Sequence, residues 1–132
     1  MNFNLKTSNY VAETLKQLHA STKITPNILM RYAVALSLRN SEPVTEFKLN
    51  PKNSNEGLSL NRTTVTGEFD YVFHALIAQH SIKEISDEDY FPGLFNSHLE
   101  RGTRLLSSEY KSAGNSDKFF KNLLMLESEA VN

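Results

Sequence analysis

Residues Asn2–Lys6 read Asn-Phe-Asn-Leu-Lys, and two helical stretches follow before any further extended segment. This opening constrains the fold more than any other feature. Strict polar–apolar alternation has the period of a half-buried strand, with Phe3 and Leu5 on one face and Asn2, Asn4 and Lys6 on the other. A solitary strand leaves a row of amides and carbonyls unpaired. Pairing the same strand from two identical chains satisfies them by antiparallel symmetry; the plain alternative is an ordinary edge strand of a monomer.

The next residues supply two helices. Ser8 is a predicted N-cap, its hydroxyl accepting from a first-turn amide. Val11, Leu15 and Leu18 then recur at helical spacing, and the helix is expected to end near Ala20–Thr22. Thr25-Pro26-Asn27 restarts a helix, because proline suits the first helical position, where no donor is needed. Ile28, Leu29, Tyr32, Ala33, Val34, Leu36 and Leu38 make this second helix apolar on several sides. Strand, helix, helix without a return strand is the pattern of a ribbon-helix-helix unit, in which a two-chain ribbon enters the DNA major groove. There Asn2, Asn4 and Lys6 would face bases and phosphates, asparagine matching adenine and lysine matching guanine or phosphate.

Residues 40–66 change character, with Pro43, Pro51, Gly57 and many Asn and Ser marking a loop-rich stretch. Short extended pieces fit Glu46–Leu49 and Leu58–Val65. A third helix is expected from Thr66 or Gly67, with Phe69, Val72, Phe73, Leu76 and Ile77 forming its apolar face. Ser86-Asp87-Glu88-Asp89 has the form of a capping box. Pro92 is expected to interrupt the helix there and to start the next one, which carries Leu94, Phe95, Leu99, Leu105, Leu106 and Tyr110. Gly114 reads as its stop, and Ser116 as the cap of a last helix with Phe119, Phe120, Leu123 and Leu124. The predicted fold is therefore mainly α. A ribbon-helix-helix-like strand and two helices (1–39) are followed by a loop-rich segment (40–66) and three or four further helices (67–127), all in a single domain over 1–132.

Charge and chemistry narrow the function. The net charge of −1 hides an asymmetry: residues 1–66 carry eight Lys and Arg against four acids, and residues 67–132 carry six against eleven. A basic half and an acidic half point to two surfaces with different partners, DNA for the first and protein for the second. With no cysteine the chain forms no disulfide, holds no thiolate-bound metal or cluster and carries no persulfide. The lack of cysteine fits a reducing cytoplasm. The opening residues lack the apolar core and small-residue cleavage site of a signal peptide, and no run reaches the length of a membrane span. His19, His74, His80 and His98 show no metal-ligand spacing, and there is no P-loop, GxSxG or dinucleotide fingerprint. Asp87, Glu88 and Asp89 are better explained as helix-capping acids than as a catalytic pair. Arg101 and Arg104 could clamp a phosphate, but Glu100 beside them equally makes an ion-paired helix face. His98 is expected on a helix surface or partly buried. No catalytic residue, metal site or cofactor is expected, and the chain reads as a non-enzyme.

The runs NFNLKTS, LKQLHASTKITPNILMRYAVALSLR, NRTTVTGEFDYVFHALI, ISDEDYFPGLFNSHLERGTRLL and EYKSAGNS resemble the DndE family of DNA sulfur-modification proteins over about residues 1–125. The resemblance implies a small accessory subunit of a phosphorothioation system, in which sulfur replaces a non-bridging phosphate oxygen and companion proteins supply the chemistry. It implies binding of double-stranded, nicked DNA, contact with the other sulfur-modification proteins, and a homotetramer. Carried over by position, Lys6, Lys16 and Lys23 stand in the basic N-terminal region that would hold the DNA backbone, with Arg31 and Arg39 nearby. The alternative of another class is a ribbon-helix-helix repressor or antitoxin, which would prefer one palindromic operator over random DNA by ~10³-fold or more. A third, a pure protein scaffold, would not bind DNA at all.

Overall fold

A computed structural model describes residues 4–44, 57–82 and 84–131. The expected period-two strand is present as β1 (Asn4–Lys6), with Asn4 exposed, Leu5 buried and Lys6 half-buried. Asn2 lies outside the described residues. The partner of β1 is β2 (Ser59–Asn61) of the same chain, antiparallel, with Asn4 opposite Asn61, Leu5 opposite Leu60 and Lys6 opposite Ser59. The Thr7 amide extends the ladder to the Leu58 carbonyl at 2.9 Å, and the Leu58 amide donates to the Thr7 hydroxyl at 2.9 Å. This corrects the expectation of a two-chain ribbon, because an internal strand satisfies the backbone groups that would have required a second copy. The inter-chain argument for a repressor loses its basis with it.

Helix α1 (Asn9–Thr22) starts as read, with the Val11 amide donating to the Ser8 hydroxyl at 3.1 Å. Helix α2 (Pro26–Arg39) begins at Pro26, although the Thr25 side chain makes no capping bond. Short α3 (Arg62–Thr66), capped by Asn61, runs through a 3₁₀ turn (Gly67–Phe69) into α4 (Asp70–Ser81). The helix expected from Thr66 or Gly67 therefore starts four residues earlier and in two pieces.

Pro92 does not break the chain as expected. The Asp89 amide donates to the Ser86 hydroxyl at 3.1 Å, confirming the cap, and a π-helical segment (Asp89–Phe95) with Pro92 inside it passes directly into α5 (Asn96–Ala113). The wider π turn leaves room for a ring that would strike the carbonyl four residues back in an α-helix. Gly114, at φ 83°, ends α5 as expected, while Asn115 rather than Ser116 caps α6 (Ser116–Val131) by accepting from the Lys118 amide at 2.9 Å.

Helices α2 and α5 form the spine. Leu29, Met30, Ala33 and Val34 of α2 meet Leu99, Leu106 and Thr103 of α5, all fully or nearly fully buried. Gly102 makes that approach possible, because a Cβ there would run into the Ala33 carbonyl and stand 3.0 Å from its Cα. Val11, Leu15 and Leu18 cover one side of the spine, and Phe73, Ile77, Tyr90, Phe91 and Phe95 close the other. No helix among the described residues is long and apolar enough to cross a membrane.

Candidate nucleic-acid interface

The residues expected to hold DNA lie on three elements. Asn4 and Lys6 share the outward face of β1, since residues two apart point the same way. The Lys6 carbonyl is fixed from behind by the Asn96 amide group at 2.9 Å, which ties β1 to the start of α5. Lys16 is exposed on α1. Lys23 sits at the tip of the α1–α2 turn in the left-handed conformation, φ 66°, with its amide donating to the His19 carbonyl at 2.9 Å. Thr22 steadies that tip: its hydroxyl donates to the Leu18 carbonyl at 2.6 Å and accepts from the Ile24 amide at 3.2 Å. A long flexible side chain is thus mounted on a well-bonded turn. No ion pair engages Lys6, Lys16 or Lys23 among the described residues.

Arg31 and Arg39, on α2, differ from the lysines. The Arg31 Nε donates to the Val65 carbonyl at 2.8 Å and its guanidinium lies 5.6 Å from the Phe69 ring centre, so it joins α2 to α3 and the 3₁₀ turn. Arg39, exposed in the last turn of α2, suits the negative end of the helix dipole and also has a bonding partner.

Sequence reasoning missed two polar clusters that position these elements. In the first, Arg101 reaches from α5 to the C-terminal end of α2. Its guanidinium donates to the Ser37 hydroxyl at 2.8 Å and to the carbonyls of Ser37 and Glu42, each at 2.7 Å. The Ser37 hydroxyl, accepting from Arg101, also forms a hydrogen bond with His98 Nδ1 at 2.8 Å. His98 is 1% exposed, against the expectation of a surface or partly buried residue. Burial, with His80 and Arg101 adding repulsion, pushes its pKa down to about 3. Burial likewise lowers that of Arg101, Glu42 opposing. Arg101 is committed to backbone carbonyls and Arg104 pairs with Glu100 at 3.1 Å, so the ion-paired helix face prevails over the phosphate clamp.

In the second cluster Arg62 forms a two-point bond with Asp70, at 2.9 and 2.6 Å, and lies 4.9 Å over the Tyr90 ring. Thr66 and Tyr90 also donate to Asp70 Oδ1, at 2.7 and 3.1 Å. Burial alone would raise the Asp70 carboxyl; the bonds from Arg62, Thr66 and Tyr90 outweigh it and hold it below the usual carboxylate range. The same hydrogen bond raises Arg62, and burial raises the Tyr90 hydroxyl. Arg62 and Asp70 are eight residues apart, too far for a local helix rule, and the partners of Arg101 and His98 at Ser37 lie more than sixty residues away.

Ser8 carries a third tie. Besides capping α1 it donates to Glu100 Oε2 at 2.7 Å, and Arg104 beside Glu100 lies 4.4 Å over the Tyr10 ring. The outcome is a well-bonded frame on which Lys16 and Lys23 are exposed and Lys6 is half-buried. Glu84, Asp87, Glu88 and Asp89 are exposed between α4 and the π-helical segment. Among the described residues no group of histidines and acids is placed to hold a metal.

One family model matches nearly the whole chain. The family model described as DNA sulphur modification protein DndE matches residues 4–128. A crystal structure of DndE from Escherichia coli B7A, described as involved in DNA phosphorothioation modification, superposes with a TM-score of 0.56 at 24% identity, covering 78% of this chain and 95% of that one. A mutant DndE, described as involved in DNA phosphorothioation, gives a TM-score of 0.54 at 23% identity over 77% and 94% of the two chains. At that identity the structural likeness speaks to the fold. A comparison with curated proteins gave no match.

Proposed function

This chain belongs to the DndE family of DNA sulphur modification proteins, and on that premise we propose that it is the non-catalytic, DNA-gripping subunit of a phosphorothioation machinery. It binds double-stranded DNA, nicked in preference to intact, mainly through phosphates. It acts in the cytoplasm as a homo-oligomer, a tetramer, alongside the other sulfur-modification proteins. Lys6, Lys16 and Lys23 are the main contacts, with Asn2 and Asn4 beside Lys6 and with Arg31 and Arg39 flanking.

One observation carries the reading: the frame's arginines Arg62 and Arg101 are occupied within the fold, while the N-terminal lysines have no ion pair among the described residues. Internal bonds account for the first group, and a polyanion accounts for the second. A continuous duplex is stiff, and a nick relaxes it, so a rigid surface fits a nicked backbone at lower bending cost. Holding the backbone there keeps a phosphate in place for the enzymes that exchange its oxygen. A chain without cysteine takes no part in relaying the sulfur.

The test is a competition between nicked, intact and single-stranded DNA of one sequence for the purified protein. Nicked duplex is expected to compete best and single strands worst. Equal competition by all three would remove the nick from the account, and no binding at low salt would refute the DNA-gripping role.

A further inference from the structure

Of the residues read as the apolar face of this helix, Phe69, Val72, Phe73, Leu76 and Ile77, only Phe73 and Ile77 are inside. Phe69 and Val72 are each 46% exposed, Leu76 42%, and the neighbouring Tyr71 82%. Ala75 and Gln79 are exposed between them. The outward side of α4 is thus a stripe of Phe69, Tyr71, Val72, Ala75, Leu76 and Gln79; exposed Glu68 and the Arg31 guanidinium over Phe69 mark its N-terminal end, and from Tyr71 to Gln79 it carries no charge, where a solvated helix face does. At its end Ile82 stands 91% exposed at φ 60°, a conformation that a β-branched residue rarely adopts.

We propose that this face is where two copies of the chain meet, α4 packing antiparallel on α4 about a two-fold axis beside Ala75 and Leu76. The inference rests on the homo-oligomer reading above and gives that oligomer an interface. A two-fold contact sets each surface against itself, so any charge near the axis would face its own copy. Between Tyr71 and Gln79, around the axis, the stripe has none to clash, and antiparallel packing sets the two copies of Glu68 at opposite ends of the contact. Its midpoint is self-complementary. With the axis between them, Ala75 faces Leu76 of the second copy, small against large, and Val72 faces Gln79 of the second copy. The area is adequate. An aromatic side chain buries about 150–250 Å², so at these exposures Phe69, Tyr71, Val72, Leu76 and Ile82 offer on the order of 500 Å² per copy. Doubled, that reaches the roughly 1,000 Å² that a specific interface needs. A monomer seldom leaves an apolar patch of this size without a function.

The test is light scattering on the full-length protein after size exclusion. The wild type is expected at two or four times the 15.0 kDa chain mass. Val72→Glu with Leu76→Glu should halve that mass or reduce it to the monomer and raise the dissociation constant at least 100-fold. Both sites are more than two-fifths exposed, so the helical circular dichroism should be kept. Val72→Glu alone should weaken assembly, and adding Gln79→Lys should restore it by setting opposite charges across the axis. Gln79→Lys alone, at an exposed polar site, gives a second route should Val72→Glu fail to fold, and it too should weaken assembly. An oligomeric wild type whose mass survives these variants would overturn the α4 interface and leave the homo-oligomer reading intact. A monomeric wild type would overturn both.

Discussion

Gly102→Ala is expected to destabilise the protein although it replaces glycine by the best helix former. In an open helix the change would gain about 1 kcal/mol. Here the new methyl would meet the carbonyl carbon and oxygen of Ala33, with the Ala33 Cα a further 3.0 Å contact. These are backbone atoms of a helix and cannot rotate away, so α2 and α5 must part. Parting loosens the packing of Leu29, Met30 and Val34 on Leu99 and Leu106, and strains the bonds from Arg101 to the carbonyls of Ser37 and Glu42 one residue away. Overpacking of a tight core costs about 1–3 kcal/mol, and immovable backbone puts this site at the top of that range. The net loss is about 2 kcal/mol. With a urea m-value of about 2 kcal/mol/M for a chain of this size, the unfolding midpoint should fall by about 1 M with m unchanged. Urea titration followed by circular dichroism reads this directly. A midpoint equal to or above the wild type would show that α2 and α5 do not touch at this glycine.

Two further outcomes follow from the buried cluster and the sheet. His98 titrates near 3 when folded and near 6.5 when unfolded, so below pH 6.5 the unfolded chain takes up the proton first and stability is lost as pH falls, by up to about 1.4 kcal/mol per unit, until about pH 3. His98→Asn, which keeps a hydrogen-bonding partner for Ser37, should flatten that slope between pH 6 and 4 in urea titrations run at each pH; an unchanged slope would place the sensitivity elsewhere. Asn4→Cys with Asn61→Cys introduces the only two cysteines, at directly opposed positions of β1 and β2. Opposed Cβ atoms lie about 4.5–5.5 Å apart, so oxidation should give a cross-linked monomer on a non-reducing gel, whereas a disulfide-linked dimer would reinstate the two-chain ribbon.

Local physics was readable from the sequence, and distant pairing was not. The alternation at β1, the Ser8 cap, the start at Pro26, the cap at Ser86 and the stop at Gly114 all depend on residues within a few positions of one another. The partner of β1 lies more than fifty residues away, in a three-residue strand too short to show a period, inside the stretch Leu58–Val65 that reads only as extended. Pro92 misled because its effect depends on the width of the turn, and a π turn has no sequence signature of its own. Helix α4 misled in a more useful way. Its apolar positions were counted correctly, but the core accepts only Phe73 and Ile77, and the rest face outward. On the candidate interface the sequence identified which residues are basic but not which are occupied. Arg31 bonds to Val65, while Lys16 and Lys23 stay exposed.

The most direct measurement is the salt dependence of binding to one nicked duplex, for the wild type and for Lys6→Glu/Lys16→Glu/Lys23→Glu. Each lysine–phosphate contact contributes about 0.9 to the slope of log K against log salt. The triple variant should therefore lose about 2.7 from that slope, with affinity at low salt falling below detection or nearly so, while its thermal unfolding stays close to wild type because all three side chains lie outside the core. An unchanged slope and affinity in a folded triple variant would mean that the DNA backbone is held by some other surface.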